Sequence, residues 1–409
     1  MVDFDLIIIG GGLVGGSLAC ALRDTGLRIA VVEAVAAEAP NQPSYDERVI
    51  ALSLGSQRIF TGMGLWDQIA PHAEPILKVH VSDRGRCGFA HLDHAEERVE
   101  ALGYVTPARA MGAAIGACLE DAQGIELLRP ARLIGLRHQG DHVDVEVASG
   151  GHSRLLQARL LVAADGGESA VRRRLGLKVR ERDYGHHAII STVTPERPDS
   201  GTAFERFTDS GPLALLPMTE GRWSVVWTAR DDQRDAIMAL DDDAFLAMLQ
   251  QRFGHRLGRL TRPGRRFAYP LRLVLARELT RPRTLLIGNA AHTLHPVAGQ
   301  GFNLGLRDVA ELADLVVEAD NTGADIGGRS VLAGYRRRRG PDQAAVATAT
   351  DALARLFINP WAPIRISRDI GMLGLDLIPG ARHLLARRFM GIDGRLPRLA
   401  RGLPARLRD

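Results

Sequence analysis

Lysine is almost missing from this 409-residue chain: of its 52 basic residues only Lys78 and Lys178 are lysines, and the rest are arginines. The charge is still nearly balanced, with 48 acidic residues and a formal net of +4. Aromatic residues make up 5% and are not interleaved with the arginines, so there is no base-stacking platform and a nucleic-acid binder is disfavoured. Cysteine is scarce as well. Cys20, Cys87 and Cys118 have neither metal nor redox spacing, and their odd number does not suit a disulfide framework, so buried thiols are expected. No apolar run reaches the ~18 residues of a membrane span, and no basic segment precedes the first apolar run as in a signal peptide. These absences point to a reducing, cytoplasmic setting. The length exceeds what one core usually serves, so two intimately packed domains are expected.

What is present starts at once. "FDLIIIGGGLVGGSLACALRDTGLRIAVVEA" reads as a complete βαβ unit. Residues 6–9 are a short, continuously apolar run, the pattern of a parallel strand buried on both faces. Gly10, Gly12 and Gly15 then give G-x-G-x-x-G. The first serves the tight turn, the second the approach of a pyrophosphate, and the third the packing of helix on strand. A helix over 13–23 aims its N-terminal N–H groups at the phosphates. A second apolar strand, 29–32, runs into Glu33, whose carboxylate accepts from ribose hydroxyls. This is a dinucleotide cradle; the motif alone leaves open whether the ligand is NAD or FAD.

Two later stretches repeat the logic. "ARLLVAADGGESAVRRRLG" (158–176) runs from an apolar strand into Asp165-Gly166, and "LLIGNAAHTLHPVAGQGFNLGLRDV" (285–309) into Gly288-Asn289. The glycine-rich "HPVAGQGFN" is expected to be irregular, with backbone N–H groups converging on an anion or on the polar edge of a ring. In this order the three motifs resemble the aromatic-ring hydroxylase family of FAD-dependent monooxygenases. Within it the chain is most similar to the subgroup that hydroxylates 2-polyprenyl-6-methoxyphenols in ubiquinone biosynthesis, on "VHVSDRG", "GTAFERFTDSGPLALLPM", "NPWAP" and the Gly-Asn variant. The similarity extends to about residue 390.

The resemblance implies an α/β fold: a Rossmann-type FAD-binding domain, an inserted antiparallel-sheet substrate domain and a C-terminal helical segment. Residues 1–75, 101–181 and 279–340 would form the first, 76–100 and 182–278 the second, and 341–409 the third. It implies bound FAD and NAD(P)H as a transient co-substrate, since no second G-x-G-x-x-G unit is present. The reaction would pass through a flavin C4a-hydroperoxide, which accounts for the lack of a catalytic triad or metal cluster. Arg48 is expected near the flavin and Arg109 near its phosphates or ribityl chain, while Pro296, Gly299, Gly301 and Asn303 line the isoalloxazine. The family usually has Asp where this chain has Asn289. Asn keeps an acceptor for a ribityl hydroxyl and loses only the charge, about 1 kcal/mol, so the site is expected to be live.

His295, and less so His292, are candidate relays for a phenol proton. Strand-like runs between 182 and 278 would wall the substrate, with Phe204, Leu215 and Trp227 as candidate pocket residues. From Leu353 onward eleven arginines face four acids, which suits a solvated cap, a peripheral contact with the inner membrane, or a surface for other enzymes of the pathway. Two alternatives stay open on these residues: a flavin-dependent isoprenoid reductase and a catalytically silent flavin scaffold.

Overall fold

The computed structural model describes residues 2–36, 48–86, 88–199, 201–358, 361, 371–372, 374 and 376–406. Cys87 and most of "NPWAP" lie outside them, while Cys20 and Cys118 are buried free thiols.

Five parallel strands form the centre of the first layer, in the order Thr284–Leu286, His152–Ala163, Phe4–Ile9, Ile29–Val32, Ile125–Leu128. Leu6 pairs with Leu160 on one side and Ile29 on the other. Because helices cover the sheet, its central strands carry continuous rather than alternating apolar runs, at 6–9, 29–32 and 160–163. Leu18 of helix Leu13–Leu22, Ile115 of helix Ala108–Asp121 and Val309 of helix Gln300–Asn321 belong to the same core.

The second layer is a nine-stranded sheet. Along its main path run His292–Thr293, Phe267–Ala276, Val179–Pro195, Trp223–Arg230, Gly211–Pro217, Thr202–Thr208, Lys78–Asp83 and Phe89–Asp93. All pairs on that path are antiparallel except Thr202–Thr208 with Lys78–Asp83. Side chains alternate across such a sheet. One face, with Leu213, Leu215, Trp223 and Trp227, packs under Phe245, Leu249 and Phe253 of helix Asp242–Phe253. The other face looks back at the first layer.

Two expectations need correction. "HPVAGQGFN" is not irregular throughout: a short 3-10 turn, Val297–Gly299, leads into helix Gln300–Asn321, whose first turn takes up the end of the motif. Gly299, at φ +61, supplies the left-handed cap that starts it. The boundary expected at 341 falls inside one continuous helix, Arg329–Ile358. Nor is the tail wholly separate, because Leu399, Ala400 and Ala405 are buried in the first-layer core.

Candidate active site

A cavity of about 1520 Å³ runs between the layers, larger than the ~300–1,000 Å³ of ordinary small-ligand pockets. One end is the glycine cradle. Gly10 has φ +102, and a Cβ there would lie 2.4 Å from the Ala164 carbonyl oxygen; one at Gly15 would lie 1.9 Å from the Gly10 oxygen. Neither position tolerates a side chain, which keeps the backbone bare at the cavity edge. The Glu33 carboxylate is fixed in place by the Gly11 and Val35 N–H groups, from which it accepts at 2.7 and 2.8 Å. Asp165 accepts with Oδ2 from Ala170 and Val171 N–H at 2.6 and 3.1 Å, whereas its buried Oδ1 has no protein partner. An orphaned carboxylate oxygen on the cavity wall calls for a hydroxyl donor from a ligand. Beside it, the Arg172 guanidinium bonds both the Gly167 and Ala290 carbonyls and so ties the second motif to the third.

Asn289 lies on a 3-10 turn, Gly288–Ala290, exposed on the cavity wall. That turn is braced from below. Asp308 Oδ2 accepts from Gly288 N–H at 3.1 Å and meets His292 Nε2 at 2.7 Å, while Oδ1 takes Arg339 Nε at 2.7 Å and Gln343 at 2.8 Å. Burial alone would raise the Asp308 carboxyl; Arg339, then His292, outweigh it and hold it well below the usual range. His292 is thus committed to a buried ionic brace. His295 is fully buried, accepts from Val297 N–H through Nδ1 at 3.2 Å, and packs edge-on against Tyr184 at 5.0 Å. Burial, and then His186, pulls it down to about 4, so it is neutral at pH 7. Its side chain is not among those lining the cavity, whereas its neighbours Leu294 and Pro296 are.

Pro296, Gly299, Gly301 and Asn303 all line the cavity. The Asn303 amide, however, is spent on protein: Nδ2 donates to the Ala51 and Gly299 carbonyls at 2.9 Å each, and Oδ1 accepts from Ser53 N–H at 2.9 Å. It clamps strand Val49–Ser53 to the loop. Gly301 sits in the first helical turn, where N–H groups lack intrahelical acceptors. Arg48 lines the cavity with its guanidinium over the Tyr269 ring, 5.2 Å from the centroid. Arg109 is exposed one residue beyond Ala108, which is the lining residue.

The far wall departs from expectation. Phe204 reaches the lining while packing on Trp223 and Phe253, with ring centroids 5.7 and 5.6 Å away. Leu215 and Trp227 point the other way, into the core beneath the sheet. Strand Gly211–Pro217 is apolar on both faces, so hydrophobicity does not reveal which parity faces the ligand, and in Trp223–Arg230 the bulky apolar parity is the core one. The cavity side of those strands belongs to Ala214, Leu216, Ser224, Val226 and Thr228. Glu205 shares that face and was not expected from sequence, because in "FERF" it looks like half of a surface ion pair. Leu385, Ala386, Phe389 and Met390 of helix Pro379–Met390 close the cavity from the side.

The bare glycine cradle, the orphaned Asp165 oxygen, the exposed Asn289 and a helix N-terminus beside Gly301 lie along one cavity and fit an extended dinucleotide whose ring system ends at the sheet. Such a site, walled by an antiparallel sheet, defines a flavoprotein. Residues 3–350 match the FAD binding domain family, and the chain belongs to it. The chain is 41% identical over 403 residues to the ubiquinone hydroxylase UbiL of Rhodospirillum rubrum, covering 98% of this chain and 93% of that protein. It is 31% identical over 377 residues to the 3-demethoxyubiquinol 3-hydroxylase of Escherichia coli, covering 91% and 94%. Among solved structures, the p-nitrophenol 4-monooxygenase PnpA of Pseudomonas putida superposes with a TM-score of 0.79 at 20% identity, covering 96% and 98%. The protein is an FAD-dependent aromatic monooxygenase with NAD(P)H as co-substrate.

Proposed function

We propose that the chain hydroxylates the aromatic ring of a polyprenylated phenol on the route to ubiquinone, as the relatives' names suggest. The observation that carries this reading is the continuity of the cavity. It passes from the cradle, beyond Pro296–Gly301, into a wall whose lining is mostly apolar and which includes Leu353, Leu356, Phe389 and Met390. A small polar phenol would leave that surface wetted; a prenyl chain covers it, at about 25 cal/mol per Å² removed from water. Bound FAD, reduced by the nicotinamide, supplies O₂ activation and an electrophilic oxygen. Glu33 and Asp165 would hold its hydroxyls, the cradle its pyrophosphate, and Asn289 its ribityl chain. The sheet orients the ring and excludes water.

No described helix is long and apolar enough to cross a membrane. We place the chain at the membrane periphery for its bilayer-borne substrate. Support comes from exposed Leu377, Ile378 and Leu384 beside Arg387 and Arg388, since basic residues near anionic lipid contribute about 1 kcal/mol each.

The test uses purified protein, NADPH, ¹⁸O₂ and a short-chain 2-prenyl-6-methoxyphenol. One heavy oxygen in the ring is expected by mass spectrometry, with fragmentation locating the carbon. NADPH consumption yielding only peroxide would remove this substrate class from the proposal.

A further inference from the structure

Across the cavity-facing side of the sheet, hydrogen-bonded partners line up in rows. One row reads Val81, Glu205, Ala214, Val226, Ile190, from strand to strand. Every member lines the cavity and four of the five are aliphatic or Ala. The fifth is a carboxylate. No described residue donates a hydrogen bond to it or forms an ion pair with it, and burial pushes its carboxyl up to about 7. The charged groups of the surrounding elements are turned or engaged elsewhere. His80 and Arg206 have the opposite parity on their strands, and His80 bonds His91 at 2.7 Å. Asp83 shares the parity of Val81 but sits one row further along, opposite Phe207. On helix Arg329–Ile358, whose Ala349, Ala352 and Leu353 line the cavity, Asp351 is bound by Arg182, Tyr184 and Arg355. A lone carboxylate among aliphatic side chains is costly unless a ligand donor meets it.

We infer that Glu205 is a catalytic residue that accepts the hydroxyl proton of the phenolic substrate. This deepens the function proposed above and rests on it. The Glu205 carboxylate takes the O–H proton, the oxygen lone pair moves into the ring, and a ring carbon forms the new C–O bond with the electrophilic hydroxyl oxygen as the O–O bond behind it breaks. One atom of O₂ thus enters the ring and the other leaves as water, the two reducing electrons coming from NAD(P)H, as the established activity supplies. The ring becomes aromatic again when the tetrahedral carbon loses its hydrogen as a proton and the carbonyl oxygen recovers one from protonated Glu205. Glu205 ends ionised, ready for the next turn. A carboxyl titrating near neutrality is matched to this exchange.

Two measurements on the FAD-loaded protein test it. In turnover, Glu205→Gln is expected to lower kcat by between about 100- and 10,000-fold. KM should change far less, flavin content should not change, and Glu205→Asp should recover part of the rate. The wild-type rate should fall as pH drops below about 7, where the carboxylate is protonated, and Glu205→Gln should lose that limb. In binding, 2-methoxy-4-nitrophenol reports its own ionisation by colour. Facing a carboxylate, its phenolate is disfavoured by like charge, so its colour change should come at least about one pH unit higher in the wild type than in Glu205→Gln. Coincident titrations, or a Glu205→Gln variant with the wild-type rate and pH profile, would overturn the inference. If the wild type leaves the prenylated phenol unchanged, the substrate reading falls alone, because the titration needs no turnover.

Discussion

The cradle and the far wall of the cavity hold ligand by opposite means. At the cradle, selectivity lies in the main chain: Gly10 and Gly15 exclude side chains, and N–H groups and a few carboxylate oxygens face the cavity. At the wall it lies in the side chains, and which of them count is decided by parity along each strand. A main-chain site tolerates little substitution, since any added atom meets fixed backbone. A side-chain wall can be retuned one residue at a time, because each cavity-facing position is independent of the core position next to it.

Substitutions at three places probe that contrast. The largest effect is expected at the cradle. Gly15→Val would place atoms where only 1.9 Å separates a Cβ from the Gly10 oxygen, so the purified variant should be colourless, as read from flavin absorbance per mole of protein. Full flavin content in a folded variant would show that the cradle yields more than its geometry allows. Next comes a neighbouring pair on one strand. Trp227→Ala empties a fully buried core position and should cost about 3–5 kcal/mol in denaturant melts. Val226→Ala, one residue away and facing the cavity, should leave stability within about 1 kcal/mol and instead alter KM for the phenol. If the two effects were exchanged, the assignment of the faces would be reversed. The smallest effect is at Asn289. Asn289→Asp should retain FAD, with a Kd changed no more than about tenfold, while Asn289→Leu should release much of it in equilibrium dialysis. Equal retention in both would mean that residue 289 does not hold the ribityl chain.

How much could be read in advance follows the same division. The cradle, Glu33 and the Asp165-Gly166 turn are legible because strand, glycine spacing and acidic terminus are local in sequence and each has a steric reason. Residues 29–32 form the strand that the pattern places there. The wall is less legible. Leu215 and Trp227 are as apolar as a pocket residue should be, and only the observed pairing shows that they serve the core. Glu205 hides in an Arg-rich context, and Arg172 stands in a run of three arginines that composition cannot tell apart. His292 misleads for another reason: it sits beside the cavity, yet its Nε2 is engaged by Asp308. Asn303 lines the cavity as expected, but its amide is bonded to the Ala51, Gly299 and Ser53 backbone.

Helix Pro379–Met390, which closes one side of the cavity, is fastened on both flanks. On one, Asp376 accepts from His91 N–H at 2.9 Å, and Arg382 and His383 pair with Glu96 and Glu97 at 2.8 and 2.6 Å. On the other, Asp314 accepts from Arg398 N–H at 3.1 Å, and Arg406 donates to the Thr25 carbonyl at 2.6 Å. A segment pinned at two points loses little further chain entropy when it lies down. The helix is held by these fastenings together with Ala386 and Met390, which are buried beside Leu54, Ile76 and Val105. Leu385 and Phe389, half-buried and facing the cavity, are then the positions at which a protein engineer could recut this one helix for a longer or shorter tail while leaving the flavin architecture alone.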